Sequence, residues 1–119
     1  MVEVIFYRDG QDRLSSVYAH GHSAFDEHGK DVVCAAVSAI LQSLRVGLET
    51  YADVALDAFQ DSGEFALRWP ESARDDPSVR AIVTTAELSL ERIAEQYPEE
   101  VRFAREKDRR ATPRPPRWS

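Results

Sequence analysis

The stretch GHSAFDEHGKDVVCAAVSAIL, from Gly21 to Leu41, holds two of the three histidines and the only cysteine of a 119-residue chain. A thiol and imidazoles gathered where a loop gives way to an apolar helical pattern suit nucleophilic catalysis. The thiolate is the attacking form, and a nearby imidazole can hold its proton and later return it to a leaving amine. With Asp31 as N-cap, Cys34 becomes the third helical residue. Its amide is then a donor for the Asp31 carboxylate, and its sulfur meets the positive end of the helix dipole, which favours thiolate. His22, at the end of the preceding strand, is the proton-transfer candidate. Ser38 follows Cys34 by four residues on the same helix face, where its hydroxyl can reach substrate or water. First-turn amides offer an oxyanion site.

Each of these residues also has a plainer reading. A lone cysteine followed by Ala-Ala-Val fits a small buried hydrophobe. Ser38 can bond its own helix backbone, and Asp31 can be a cap and nothing more. His20 fits a surface strand position. A zinc site from His20, His22, His28 and Cys34 has suitable ligand types, but the irregular spacing lacks paired-ligand knuckles, so metal is the weaker reading.

The elements that must position these groups follow from periodicity. VEVIFYR is rich in strand formers, RDGQDR supplies turn chemistry, and LSSVYAHGH alternates, with Ser16, Tyr18, His20 and His22 on one side and Val17 and Ala19 on the other. From Val33, apolar residues recur at Val37, Ile40, Leu41, Leu44, Leu48 and Tyr51, one stripe along a helix of about five turns. VALDAF and EFALRW flank QDSG as a second hairpin, with Val54, Leu56, Phe65, Leu67 and Trp69 available to pack. Asp76 and Pro77 read as N-cap and first helical residue. Ile82, Ala86, Leu90, Ile93 and Tyr97 carry a second helical stripe until Pro98, and EVRFARE closes as a short strand. The fold class is α+β, a two-layer sandwich of two main helices on one face of an antiparallel or mixed sheet. The other sheet face then needs polar residues or a partner chain.

Length and composition imply one domain, and no apolar run approaches the roughly 20 residues that span a bilayer. The start, MVEVIFYRDG, lacks the pattern of a secretory signal, and a single cysteine suits a reducing compartment, so the expected location is cytoplasmic with no membrane partner. The net charge of −6 conceals a division. From Lys107 onward, five basic residues against Asp108 give +4 and leave −10 on residues 1–106. An acidic body argues against direct nucleic-acid binding by the fold and favours a basic partner. The tail, 107–119, is basic, proline-rich and without apolar periodicity, which reads as disordered; it serves solubility or binding.

Gly21 and His22, then Gly29, Asp31, Val33 and CAAVSA from Cys34 to Ala39, resemble the ribosomal-processing cysteine proteases called Prp. The likeness continues through the helix ending near GLE and through EQYPEEV, making residues 1–106 a Prp-like cysteine protease domain. The resemblance implies a homodimer that removes an N-terminal extension from bacterial large-subunit ribosomal protein twenty-seven, with Cys34 as nucleophile, His22 as acid/base and no cofactor or metal. A groove for the apolar end of that extension is expected beside the loop, whose candidate substrate residues are Gly21, Ser23, Ala24, Phe25 and Gly29. Ala24 stands where a glycine is expected, and His28 where an aromatic residue is common. The competing reading is a non-enzymatic ribosome-assembly or binding factor that grips a basic ribosomal protein.

Overall fold

The computed structural model describes residues 1–21 and 32–108. Five strands and two helices follow in the order β1 (Val2–Arg8), β2 (Leu14–Gly21), α1 (Val32–Val46), β3 (Asp57–Gln60), β4 (Glu64–Arg68), α2 (Pro77–Gln96) and β5 (Val101–Lys107). They form one mixed sheet, ordered β3-β4-β2-β1-β5, in which only the β1 and β5 pairing is parallel. The two-layer α+β expectation holds.

Strand alternation supplies the core. Val4 pairs with Ala19 and Phe6 with Val17, and these continue across β4 to Phe65 and Leu67, so one sheet face carries a fully buried apolar block. α1 lays Val33, Val37, Leu41 and Leu44 on it, and α2 adds Val79, Val83, Ala86 and Leu90, each set at helical spacing. Trp69 is completely enclosed and its indole N–H donates to the Leu14 carbonyl at 2.8 Å. At the start of α2, Asp76 caps as expected, its carboxylate accepting from the Ser78 amide at 2.8 Å, with Pro77 in the first turn.

Three expectations change. α1 ends at Val46 and continues as a π-turn, Gly47–Tyr51, closed by the Ala52 amide on the Gly47 carbonyl. The wider turn rotates Tyr51 off the apolar stripe, and it is 78% exposed. Tyr97 likewise leaves the second stripe, because it is the non-helical cap residue of α2. The run Val32–Tyr51 is also long and apolar enough, by length and composition, to cross a membrane, contrary to the sequence expectation. The reason is that alanine, serine and glycine fill the positions between the larger residues, leaving only Arg45 and Glu49 charged. A core helix meets the same test, and 33% of this run is buried inside the protein.

The sheet face away from the helices carries two polar rows. Glu3, His20 and Glu64 stand in one row across β1, β2 and β4, and Ser16, Arg68 and Asp57 in another across β2, β4 and β3. Between them runs a largely apolar row of Ala104, Ile5, Tyr18, Ala66 and Phe59, so this face is only partly polar.

Candidate active site

Cys34 is the third residue of α1, with its thiol packed among the core residues at 6% exposure. Ser38 lies one turn further on and is half-buried. Gly21 was expected within the substrate loop. It is instead the last residue of β2, paired with Val2, and its amide donates to the Gly63 carbonyl at 3.2 Å. Its φ is +151°, and a Cβ there would stand 2.4 Å from the Met1 carbonyl oxygen and 2.8 Å from the Val2 Cα. Only glycine fits, and the regular alternation of β2 ends with it.

His20 faces the polar side of the sheet. Its Nε2 is 2.8 Å from Glu3 Oε1, and its ring lies 5.3 Å from that of Tyr18, whose hydroxyl bonds the Glu64 carboxylate. That is a tied strand residue, in keeping with its plainer reading. His22, Ser23, Ala24, Phe25, His28, Gly29 and Asp31 lie outside the described residues, and with them the expected cap and the expected imidazole. Among the described residues, no three metal-ligating side chains come together.

Several acidic groups share the sheet end where Gly21 stops. The Val2 amide donates to the Glu100 carbonyl at 2.8 Å, which brings the exposed Glu99 and Glu100 beside the β1 start. Asp61 and Glu64 rim the other side, next to Gly63. Sequence reading registered the acidity of the body but not its gathering here, because the residues come from two segments joined only by sheet register.

The two-layer α+β domain sets its one thiol in the first turn of a core helix, where the helix N-terminus favours the thiolate. A profile of the cysteine protease Prp family matches residues 1–102. The ribosomal processing cysteine protease Prp of Bacillus subtilis is 31% identical over 108 residues, covering 86% of this chain and 95% of that protein. Among solved structures, the Staphylococcus aureus ribosomal processing protease Prp, with a covalently linked product peptide, superposes with a TM-score of 0.77. It is 26% identical, with 88% of this chain and 99% of that chain covered. SMU.848 from Streptococcus mutans superposes with a TM-score of 0.76 at 30% identity, covering 91% of this chain and 96% of that one. The chain belongs to the Prp family of ribosomal-processing cysteine proteases, and it is a cysteine protease.

Proposed function

We propose that the protein removes an N-terminal extension from large-subunit ribosomal protein twenty-seven, with Cys34 as nucleophile and His22 as acid/base. The observation that carries this reading is Cys34 itself, the only thiol of a cysteine protease, held in the first turn of α1. The helix N-terminus favours the thiolate. The sulfur attacks the scissile carbonyl, and the oxyanion is met by first-turn amides directed along the helix axis. The imidazolium of His22 gives its proton to the departing amine, leaving a thioester. Water then loses a proton to the imidazole, adds to the thioester carbon and expels the thiolate, releasing a carboxylate product. Asp31 takes a supporting role as cap and as orienting charge for His22, and Ser38 contacts substrate or water. No cofactor takes part. We assign Ser23, Ala24, Phe25 and Gly29 to contact with the extension.

The acidic rim of Glu64, Glu99 and Glu100 supports a basic substrate, since such a rim steers cations toward the strand end. The reading places the protein in the cytoplasm, where ribosomes assemble, and makes it a homodimer. Support for a second copy comes from the helix layer. Val32, Val46 and Leu88 are 80%, 59% and 50% exposed. Between the helices lies an apolar groove of about 500 Å³ floored by Ile40, Leu44 and Ile82. A helical run of 20 residues is about 30 Å long and two packed helices are about 20 Å wide. That footprint, roughly 600 Å² per copy, reaches the lower edge of stable interfaces. Leu88→Glu is expected to yield monomers in light scattering.

The deciding experiment is the mass of the ribosomal protein precursor after incubation. The parent enzyme shortens it from the N-terminus and Cys34→Ala leaves it intact. Unchanged mass in both samples would remove this precursor as the substrate and leave a cysteine protease with another target.

A further inference from the structure

The chain leaves β2 at Gly21 under constraint from both sides. On one side, the Met1 carbonyl and Val2 Cα stand where a side chain would be. Val2 is itself pinned, paired with Val101 and donating to the Glu100 carbonyl. On the other side, the Gly21 amide donates to the Gly63 carbonyl, in the β3–β4 turn. Asp61 fixes that turn. Its Oδ1 accepts from the amides of both Gly63 and Glu64 at 3.0 Å, while its own amide donates to the Glu64 carbonyl at 3.0 Å. Such an aspartate turn holds a backbone carbonyl in one orientation without needing core packing. Gly63 needs no such space, as a Cβ there would meet nothing within 4 Å. Its contribution is the carbonyl that Asp61 aims.

We propose that Asp61, through the Gly63 carbonyl, and the Met1–Val2 segment form a clamp on Gly21 that sets the direction in which the chain departs toward His22. Gly21 and Asp61 are thereby positioning residues for proton transfer. The proposal rests on the Cys34 and His22 reading. Neither residue touches substrate, so loosening the clamp lowers turnover rather than substrate affinity. A misplacement of about 1 Å at an acid/base group costs up to about a hundredfold in rate.

The test measures kcat and KM on the ribosomal precursor, with thermal melting, for the full chain and its variants. Asp61→Ala is expected to lower kcat about tenfold, with KM within about twofold and nearly parental melting, because the turn is exposed. Asp61→Asn keeps the Oδ1 acceptor and is expected to restore parental kcat. Gly21→Ala is expected to lose about a hundredfold in kcat, and if it does not fold, the Asp61 pair decides. Gly10→Ala, where a Cβ meets open space, is the unchanged control. Parental kcat in Asp61→Ala overturns the clamp. So do equal losses in Asp61→Ala and Asp61→Asn, which would indicate lost charge, and so does a rise confined to KM. His22→Ala run in parallel separates the two ideas: full turnover there removes the acid/base reading and the clamp with it, whereas an inactive His22→Ala beside a parental Asp61→Ala removes the clamp alone.

Discussion

The two ends of the sheet are built on different terms. At the end where β1 stops and β2 begins, Arg74 is almost wholly buried and donates to Asp9 at 3.0 Å and twice to the Trp69 carbonyl. Arg13 joins Asp9 to Glu71 and Asp75. Close by, Glu87 on α2 is held between Arg8 of β1 and Arg105 of β5. At the opposite end, where Gly21 leads toward His22, the described ties include backbone hydrogen bonds, one aspartate turn, the His20–Glu3 pair and the Tyr18 hydroxyl on the Glu64 carboxylate. Charged networks hold the first end, and the second, from which the chain runs on to the proposed acid/base residue, rests mainly on glycine and backbone. The division suggests that stability and turnover can be damaged separately.

The largest effect expected is at the chemical end. Cys34→Ala should abolish cleavage while leaving melting close to parental, because the change removes the proposed nucleophile but little volume. Cys34→Ser should be nearly inactive too, since an unactivated hydroxyl is a far poorer nucleophile. Normal turnover by either variant would remove the thiol from the mechanism. His22→Ala comes next, with an expected loss of about a hundredfold to ten-thousandfold, while His20→Ala and His28→Ala keep most activity. An inactive His28→Ala beside an active His22→Ala would exchange their roles.

At the locked end the sign of the comparison reverses. Arg74→Ala leaves the buried Asp9 carboxylate without one of its two guanidinium partners, and removing one member of a buried pair costs about 3 kcal/mol. Chemical denaturation should register that loss, while kcat at low temperature stays parental. A fall in kcat without a fall in stability would show that the two ends are coupled.

Much of the fold was legible because it rests on local rules. Both hairpins, the stripe through Leu44 and the Asp76–Pro77 start of α2 follow from periodicity and capping. Even RDGQDR read correctly as a turn, with Asp9 bonding the amides of Gln11 and Arg13. The partnership of Asp9 with Arg74, 65 residues away, has no local signal. Neither does the parallel placing of β5 beside β1, which depends on where α2 returns the chain. The π-turn at Gly47 follows a helical pattern that sequence periodicity carries straight through; there, a Cβ would come within 3.3 Å of the Ile82 side chain. At the site, residue types pointed to Cys34. Gly21 read as a loop residue because its crowding against Met1 exists only once β1 and β2 are paired.

The smallest expected effect tests the locked end by pH. Burial pushes the Asp9 carboxyl up, but the amides of Arg13 and Gln11 and the guanidiniums of Arg74 and Arg13 outweigh it and hold the group below its ordinary value of 3.8. Protonation therefore favours the unfolded chain. Asp9 contributes its full stabilisation above about pH 4 and loses it as the pH falls further, through the lowered folded-state value. Glu91 is also held low, by its hydrogen bond to Arg105, but that pair is solvent-exposed and screened, so Glu91→Gln should barely alter acid sensitivity. Asp9→Asn should be less stable than the parent at neutral pH and show a shallower loss below pH 4, measured as denaturation midpoints from pH 7 to pH 2. An Asp9→Asn chain whose acid slope matches the parent's would mean that other carboxylates govern acid unfolding. The charged corner would then owe its stability to packing and to hydrogen bonds that do not titrate, and the contrast between the two ends would narrow to which of them carries the reacting groups.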